Sequence, residues 1–173
     1  MRLFAAICFS DETRHTLSSA VDALRTQGQG HFSPAENLHL TLAFLGETER
    51  ADAALAAIRN VESPAFSLQF EGIGQFGTIY WAGIRENDAL RALQAQLMAH
   101  LKAADFSFEE RAFIPHITLA RNYAPSKDFS PASIEQLIAK TEEPVRQIAL
   151  MRSFPQKTGA HYETLALCRL SEK

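Results

Sequence analysis

The chain has 173 residues, 46% of them apolar and 21% charged, with 17 Lys and Arg against 20 Asp and Glu for a formal net charge of −3. That composition excludes global disorder and low-complexity architecture, and the length excludes two large independent domains. The mild acidity excludes a protein that coats nucleic acid through bulk positive charge. Residues 1–143 carry −6 and residues 144–173 carry +3, so any nucleic-acid chemistry must come from a local site.

Met1 to Phe9 is an apolar run closed by Ser10-Asp11-Glu12. It is far shorter than the roughly 20 residues a bilayer-crossing helix needs, and it reads as a strand rather than a signal peptide or membrane anchor. Ser10 or Asp11 can cap a following helix whose Leu17, Ala20, Val21 and Leu24 share one face, and Gly28 and Gly30 are expected to end it. Leu38 to Leu45, closed by Gly46, reads as a strand. A short helix from about Glu49 to Asn60 follows, with Leu55 and Ile58 inward and Pro64 beyond its exit. Phe66 to Phe76 and Thr78 to Ile84 read as strands joined by a tight turn at Gly77.

Asn87 caps the longest predicted helix, with Leu90, Leu93, Leu97 and Leu101 on one face as far as about Ala104. Phe113 to Ala120 reads as a strand, although Pro115 suits a strand start better than its middle. Ser130-Pro131 starts another helix with Ile134, Leu137 and Ile138 as its apolar face. Two last strands, about Val145 to Ser153 and Tyr162 to Leu170, flank a loop containing Gly159. This order of elements indicates an α+β or α/β domain. Cys8 and Cys168 have no Cys-x-x-Cys company, so no disulfide framework or zinc cluster is expected, and a reducing cytoplasm is the expected location.

Two short blocks stand out, Leu38-His39-Leu40-Thr41-Leu42 and Pro115-His116-Ile117-Thr118-Leu119, with their histidines 77 residues apart. Each reads as strand, so the chain looks duplicated with one His-x-Thr per half. Alternation puts His39 and Thr41 on one face and Leu38, Leu40, Leu42 and Phe44 on the other, towards a core. The His and Thr of one copy lie about 6.5 Å apart along the strand, a spacing suited to neighbouring oxygens of one phosphate. Two such strands across a groove supply two imidazoles and two hydroxyls to a single phosphate. An imidazole titrates near pH 6.5, so one copy can donate a proton while the other accepts one, and phosphodiester cleavage then needs no metal. The hydroxyls would hold the phosphate in line.

Arg121 can add a forked cation to that phosphate, but strict alternation puts it on the Ile117 and Leu119 face. The role requires the strand to end or bulge before Arg121. A single His-x-Thr is weak evidence, since Thr favours strands and a lone His is commonly a surface or core residue. Two copies with matching apolar backs outweigh that reading. His15 and His100 fall on predicted helices, His31 in a glycine-rich loop, and His161 in the loop before the last strand. Threonines at the repeated spacing are poor transition-metal ligands, so no metal site is expected. Gly72 to Gly77 reads as a turn rather than a nucleotide loop. Phe76, Tyr80 and Trp81 can stack on a base, although packing is the commoner task of strand aromatics.

The paired His-Leu-Thr-Leu and His-Ile-Thr-Leu elements resemble the two-histidine (2H) phosphoesterase superfamily. Within it the chain is most similar to the RNA 2′,3′-cyclic phosphodiesterases, historically named 2′-5′ RNA ligases. The likeness runs nearly end to end, through Arg2 to Ile7, Asn37 to Glu47, Trp81-x-Gly83 and Pro115 to Arg121, with Ser153 and Tyr162 also fitting. It departs at Thr78-Ile79-Tyr80-Trp81, where members often carry an Arg shortly before the Trp. The resemblance implies a single α+β domain over residues 1–173, bilobal and duplicated, with two similar interleaved lobes, antiparallel-rich sheets lining a central groove and helices outside.

It implies hydrolysis of a terminal 2′,3′-cyclic phosphate to a 2′-phosphate with no metal or other cofactor. His39 would be the acid that protonates the departing O3′ and His116 the base that activates water. Thr41, Thr118 and Arg121 would hold phosphate oxygens. A ribose 5′-OH in place of water would give reversible, ATP-independent 2′-5′ ligation. The expected partner is RNA with a 2′,3′-cyclic phosphate end or a cyclic nucleotide, with no membrane, no protein partner evident and a monomer expected. Two alternatives stand beside this reading: a phosphodiesterase for small cyclic nucleotides or 2′-5′ oligonucleotides, and a non-catalytic RNA-end-binding module.

Overall fold

Two antiparallel sheets and four α-helices make up the computed structural model, which describes residues 1–171. The elements in chain order are β1 (Arg2–Cys8), α1 (Asp11–Thr26), β2 (Gly28–Phe32), a 3-10 turn (Ala35–Asn37), β3 (His39–Glu47), α2 (Ala51–Arg59), β4 (Phe66–Phe76), β5 (Ile79–Ile84) and α3 (Asp88–Ala103). Then come β6 (His116–Pro125), α4 (Pro131–Ile138), β7 (Glu142–Val145), β8 (Gln147–Gln156) and β9 (Gly159–Arg169). One sheet has the order β3-β1-β8-β9 and the other β2-β6-β5-β4-β7. The architecture is the expected α+β one, and each His-x-Thr block sits in a different sheet.

Local signals account for the helices. The Ser10 hydroxyl accepts from the Thr13 N–H, the Asn87 side-chain carbonyl from the Leu90 N–H and the Ser130 hydroxyl from the Ser133 N–H, each satisfying an end donor that has no partner inside the helix. Leu17, Ala20, Val21 and Leu24 on α1 and Leu90, Leu93, Leu97 and Leu101 on α3 are buried, as the 3.6-residue period requires. Helices α1 and α4 pack together beside the five-stranded sheet, and α2 pairs with α3 beside the other. One continuous apolar core threads both halves, while Phe4, Ala6, Ala149 and Met151 form a small second cluster on the opposite face of β1 and β8.

Several boundaries differ from the sequence expectation. Gly28 and Gly30 do not end α1, which is closed at Gln27. They belong to β2, paired with β6, where a Cβ on Gly28 would lie 2.6 Å from the Ala124 carbonyl and one on Gly30 would lie 3.0 Å from the Arg121 carbonyl. Glycine is there for close backbone approach rather than for a helix stop. Strand β6 begins at His116 rather than Phe113, because Pro115 has no N–H to give the ladder. Strands β8 and β9 form one long hairpin around Lys157-Thr158 where the sequence suggests a loop, and His161 lies within it. On α4, Leu137 is 45% exposed rather than inward, and on α2 Ala54 and Ala57 take much of the burial expected of Leu55.

Two further features bear on stability and association. Glu143 on β7 is 3% exposed, and its carboxylate accepts from the Ser10 N–H, the Ser10 hydroxyl and the Thr13 hydroxyl. It ties the edge of one sheet to the first turn of α1. Strand β9 is itself an edge, with Leu165 and Leu167 exposed and a register break between Leu150 and Met151 that leaves Leu165 unpaired. Replacing Glu143 by Ala strands three donors at a buried site, so Glu143→Ala should lower unfolding free energy by about 2 kcal/mol or more. Urea denaturation checks this as a lower midpoint at unchanged slope.

Candidate active site

The two His-x-Thr strands meet where the sheets adjoin. A cavity of about 610 Å³ opens there, and His39, Thr41, His116, Thr118 and Arg121 all line it. The structure therefore brings together the five residues singled out in the sequence.

Both imidazoles are held the same way. His39 Nδ1 donates to the Asn37 carbonyl at 2.6 Å, and His116 Nδ1 donates to the Ile114 carbonyl at 2.7 Å. A carbonyl can only accept, so each Nδ1 carries the proton and each neutral ring presents a bare Nε2. His39 Nε2 lies 3.0 Å from the Thr41 hydroxyl, which donates to the neutral ring and accepts from the protonated one. Aromatic walls fix the ring planes. Phe4 and Tyr162 flank His39 at 5.0 and 5.1 Å, and Phe76 and Trp81 flank His116 at 5.0 and 5.8 Å. Trp81 lies flat over Gly74, where a Cβ would come within 2.3 Å of its ring, and Tyr80 is buried in the core. Burial pulls the His39 pKa below the ordinary imidazole value. Arg121 and His116 lower it further, and the Asn37 carbonyl works against them.

Arg121 reaches the cavity through a bulge. On β6, Ala120 stands opposite Tyr80 while Thr118 stands opposite Trp81, so Leu119 is an extra residue in the ladder. Leu119 and Ala120 both point into the core at 0% exposure, and the next side chain, Arg121, emerges on the His116 and Thr118 face. Strand β3 carries the same device. Ala43 stands opposite Ala5 and Thr41 opposite Ala6, so Leu42 is extra, Leu42 and Ala43 are both buried, and Phe44 emerges at 47% exposure. Phe44 thus lines the cavity instead of packing in the core as strict alternation predicts. His-x-Thr-Leu-Ala is shared by both strands, and Phe44 occupies the place that Arg121 holds in the other copy.

Other contributors carry a weak signal in the sequence, as His161 does beside the last strand, or none. His31, expected in a loop, lies on β2 opposite Arg121 and lines the cavity, as does His161 on β9. The segment between β2 and β3 joins the two motifs. Ser33 donates from its N–H to the Leu119 carbonyl and from its hydroxyl to the Thr118 carbonyl, both at 2.9 Å, and Asn37 supplies the carbonyl that holds His39. The Asn37 amide also donates to the Ala160 carbonyl at 2.7 Å, fastening the β8–β9 hairpin over the cavity. The Ser-Pro-Ala-Glu-Asn composition of this segment signals only a turn, because its partners are distant in sequence. Among the described residues, no group of three or more His, Cys, Asp or Glu side chains is arranged to hold a metal, and no helix is long and apolar enough to cross a membrane.

The sequence matches the 2'-5' RNA ligase superfamily over residues 13–153. The chain belongs to this superfamily. Among its relatives, the RNA 2',3'-cyclic phosphodiesterase of Thermotoga maritima is 34% identical, the match covering 98% of this chain and 95% of the relative. Of solved structures, TT0787 of Thermus thermophilus matches over the whole of both chains with a TM-score of 0.86 at 29% identity. Escherichia coli LigT complexed with 3'-AMP matches over 99% of this chain and 98% of its own, with a TM-score of 0.83 at 26% identity. This superfamily member thus shares its two-sheet fold with a protein whose structure holds a nucleotide.

The charge environment of His39 predicts a titration. In the ligand-free protein its ring should titrate below about 6.5. Because a nearby cation disfavours the imidazolium, Arg121→Gln should move that titration upward. Chemical-shift titration of the ring resonances by NMR reads both directions.

Proposed function

We propose that this protein hydrolyses RNA 2′,3′-cyclic phosphate ends to 2′-phosphates, with His39 and His116 as paired acid and base and without a metal. The single observation that carries the reading is two imidazoles, each with its Nδ1 proton tied to a backbone carbonyl and its Nε2 side turned to one cavity. The names of its relatives support the substrate class. Water attacks phosphorus as His116 Nε2 takes its proton, the bond from phosphorus to O3′ breaks, and protonated His39 delivers a proton to O3′. Thr41, Thr118 and Arg121 hold the remaining phosphate oxygens and meet the charge that builds on them.

Burial lowers the His39 pKa in the free protein, so the acid role draws on the anionic phosphate to favour the protonated ring. Attack by a ribose 5′-OH in place of water gives a 2′-5′ linkage by the same proton transfers, without ATP. A monomer acting on RNA ends in the cytoplasm completes the reading.

A product assay on RNA ending in a 2′,3′-cyclic phosphate tests it. The product should be the 2′-phosphate, formed equally well in EDTA, and His39→Ala and His116→Ala should each lower kcat/KM by roughly 10²- to 10⁴-fold. Turnover untouched by both substitutions, or a 3′-phosphate product, contradicts the mechanism. The pH profile of kcat/KM should be bell-shaped, and because His39 must be protonated in the free enzyme, its alkaline limb should fall below about pH 6.5. The acid assignment has its own test in a cyclic substrate with sulfur at the 3′ position. A thiolate leaves without protonation, so that substrate should restore most of the rate to His39→Ala and little to His116→Ala.

A further inference from the structure

The phosphate site described above uses one guanidinium, that of Arg121, yet the same cavity holds a second. Arg2 on β1 lines it, with its guanidinium carbon 5.1 Å from the centre of the Phe44 ring. Phe44 is the side chain that the β3 bulge turns out of the core, at the place where β6 presents Arg121. Each motif strand is therefore followed by a guanidinium on the cavity side, carried by the strand itself beyond His116 and borrowed from the neighbouring strand through an aromatic face beyond His39.

Among the described residues, no carboxylate engages either guanidinium. Arg14, Arg85, Arg91 and Arg111 each meet a carboxylate on the outer surface. Among the described residues, Arg2 and Arg121 form no such ion pair, and Glu47, which stands opposite Arg2 in the ladder, is turned to the N-terminal ammonium instead. The lining includes two guanidiniums and four imidazoles against a single carboxylate, Glu36. Stacking on Phe44 restrains the Arg2 fork while leaving its N–H groups available. Ser153, which stands opposite Arg2 on β8, adds a hydroxyl to the same wall.

A cyclic mononucleotide with a free 5′-OH has one phosphate, and the two histidines, two threonines and Arg121 already answer it. From the second, uncommitted guanidinium we infer that Arg2, seated on Phe44 and beside Ser153, binds a second phosphate of the substrate: the phosphodiester that joins the terminal nucleotide to the rest of the RNA. This inference rests on the phosphodiesterase reading above and deepens it. Arg2 makes the site one for polynucleotide ends rather than for cyclic mononucleotides.

The test compares three substrates: a dinucleotide ending in a 2′,3′-cyclic phosphate, the same dinucleotide with a neutral methylphosphonate link, and the cyclic mononucleotide with a free 5′-OH. The wild type should favour the charged dinucleotide over each of the others by about tenfold or more in kcat/KM, the scale of one charge-assisted contact. Arg2→Gln should bring these ratios to within about twofold of one, and Phe44→Leu, which removes the ring under the guanidinium, should lower them part of the way. A 5′-phosphorylated cyclic mononucleotide separates the two sources of a second phosphate. If it is hydrolysed as well as the dinucleotide, one terminal phosphate suffices and the claim of polymer preference fails. Equal rates on charged and neutral dinucleotides in the wild type, or a preference that survives Arg2→Gln, overturn the Arg2 site while leaving the hydrolytic reading intact. Hydrolysis of none of the substrates overturns that reading itself.

Discussion

The site depends on one repeated constraint, an extra leucine in each motif strand. A regular strand would alternate sides from His through to the sixth residue and would send Phe44 and Arg121 into the core. Leu42 and Leu119 break that alternation, so that two consecutive side chains enter the core and the next returns to the cavity. Apolar packing on one face holds the irregularity in place, and the opposite face gains a cavity-lining side chain at the end of each motif. Core and cavity lining are thereby coupled. The residues that anchor each bulge, Leu42 with Ala43 and Leu119 with Ala120, never touch the cavity, yet they decide what does.

The segment from Ser33 to Asn37 adds a second coupling. It holds the backbone of the β6 motif at one end and the ring of His39 at the other, so the two imidazoles keep their relative position without a direct bond between them. Burial around His39 works in the same direction. A ring pressed between Phe4 and Tyr162 has little freedom to turn, and the Asn37 carbonyl selects the nitrogen that carries its proton. The protein's own contacts set the positions of both rings.

Much of this is legible from residue types and spacing alone. Caps at Ser10, Asn87 and Ser130 and the leucine faces of α1 and α3 are local signals, and local physics satisfies them. The two His-x-Thr blocks stand out because alternation makes a two-residue spacing meaningful. The features that escape such a reading depend on partners far away in sequence. Gly28 and Gly30 read as a helix stop because nothing in their neighbourhood reveals that β6 runs against them. The face of Arg121 can be stated only as a condition, since the bulge becomes visible only in the pairing with the neighbouring strand. Phe44 reads as a core residue for the same reason. His161 reads as a loop residue because Pro155 and Gly159 punctuate a hairpin that its full-length pairing carries through.

The outer rim of the four-stranded sheet raises a different matter, how this fold avoids recruiting neighbours. An 11-residue edge strand bearing exposed leucines is the kind of template onto which another chain can add a strand. The break at Leu165 interrupts the regular row of backbone donors and acceptors midway along β9, and Glu163 and Arg169 put charge at either side of the leucines. An intruding strand would find short, mismatched stretches rather than a continuous ladder. The sheet that supports the first histidine thus ends in a border that discourages its own extension.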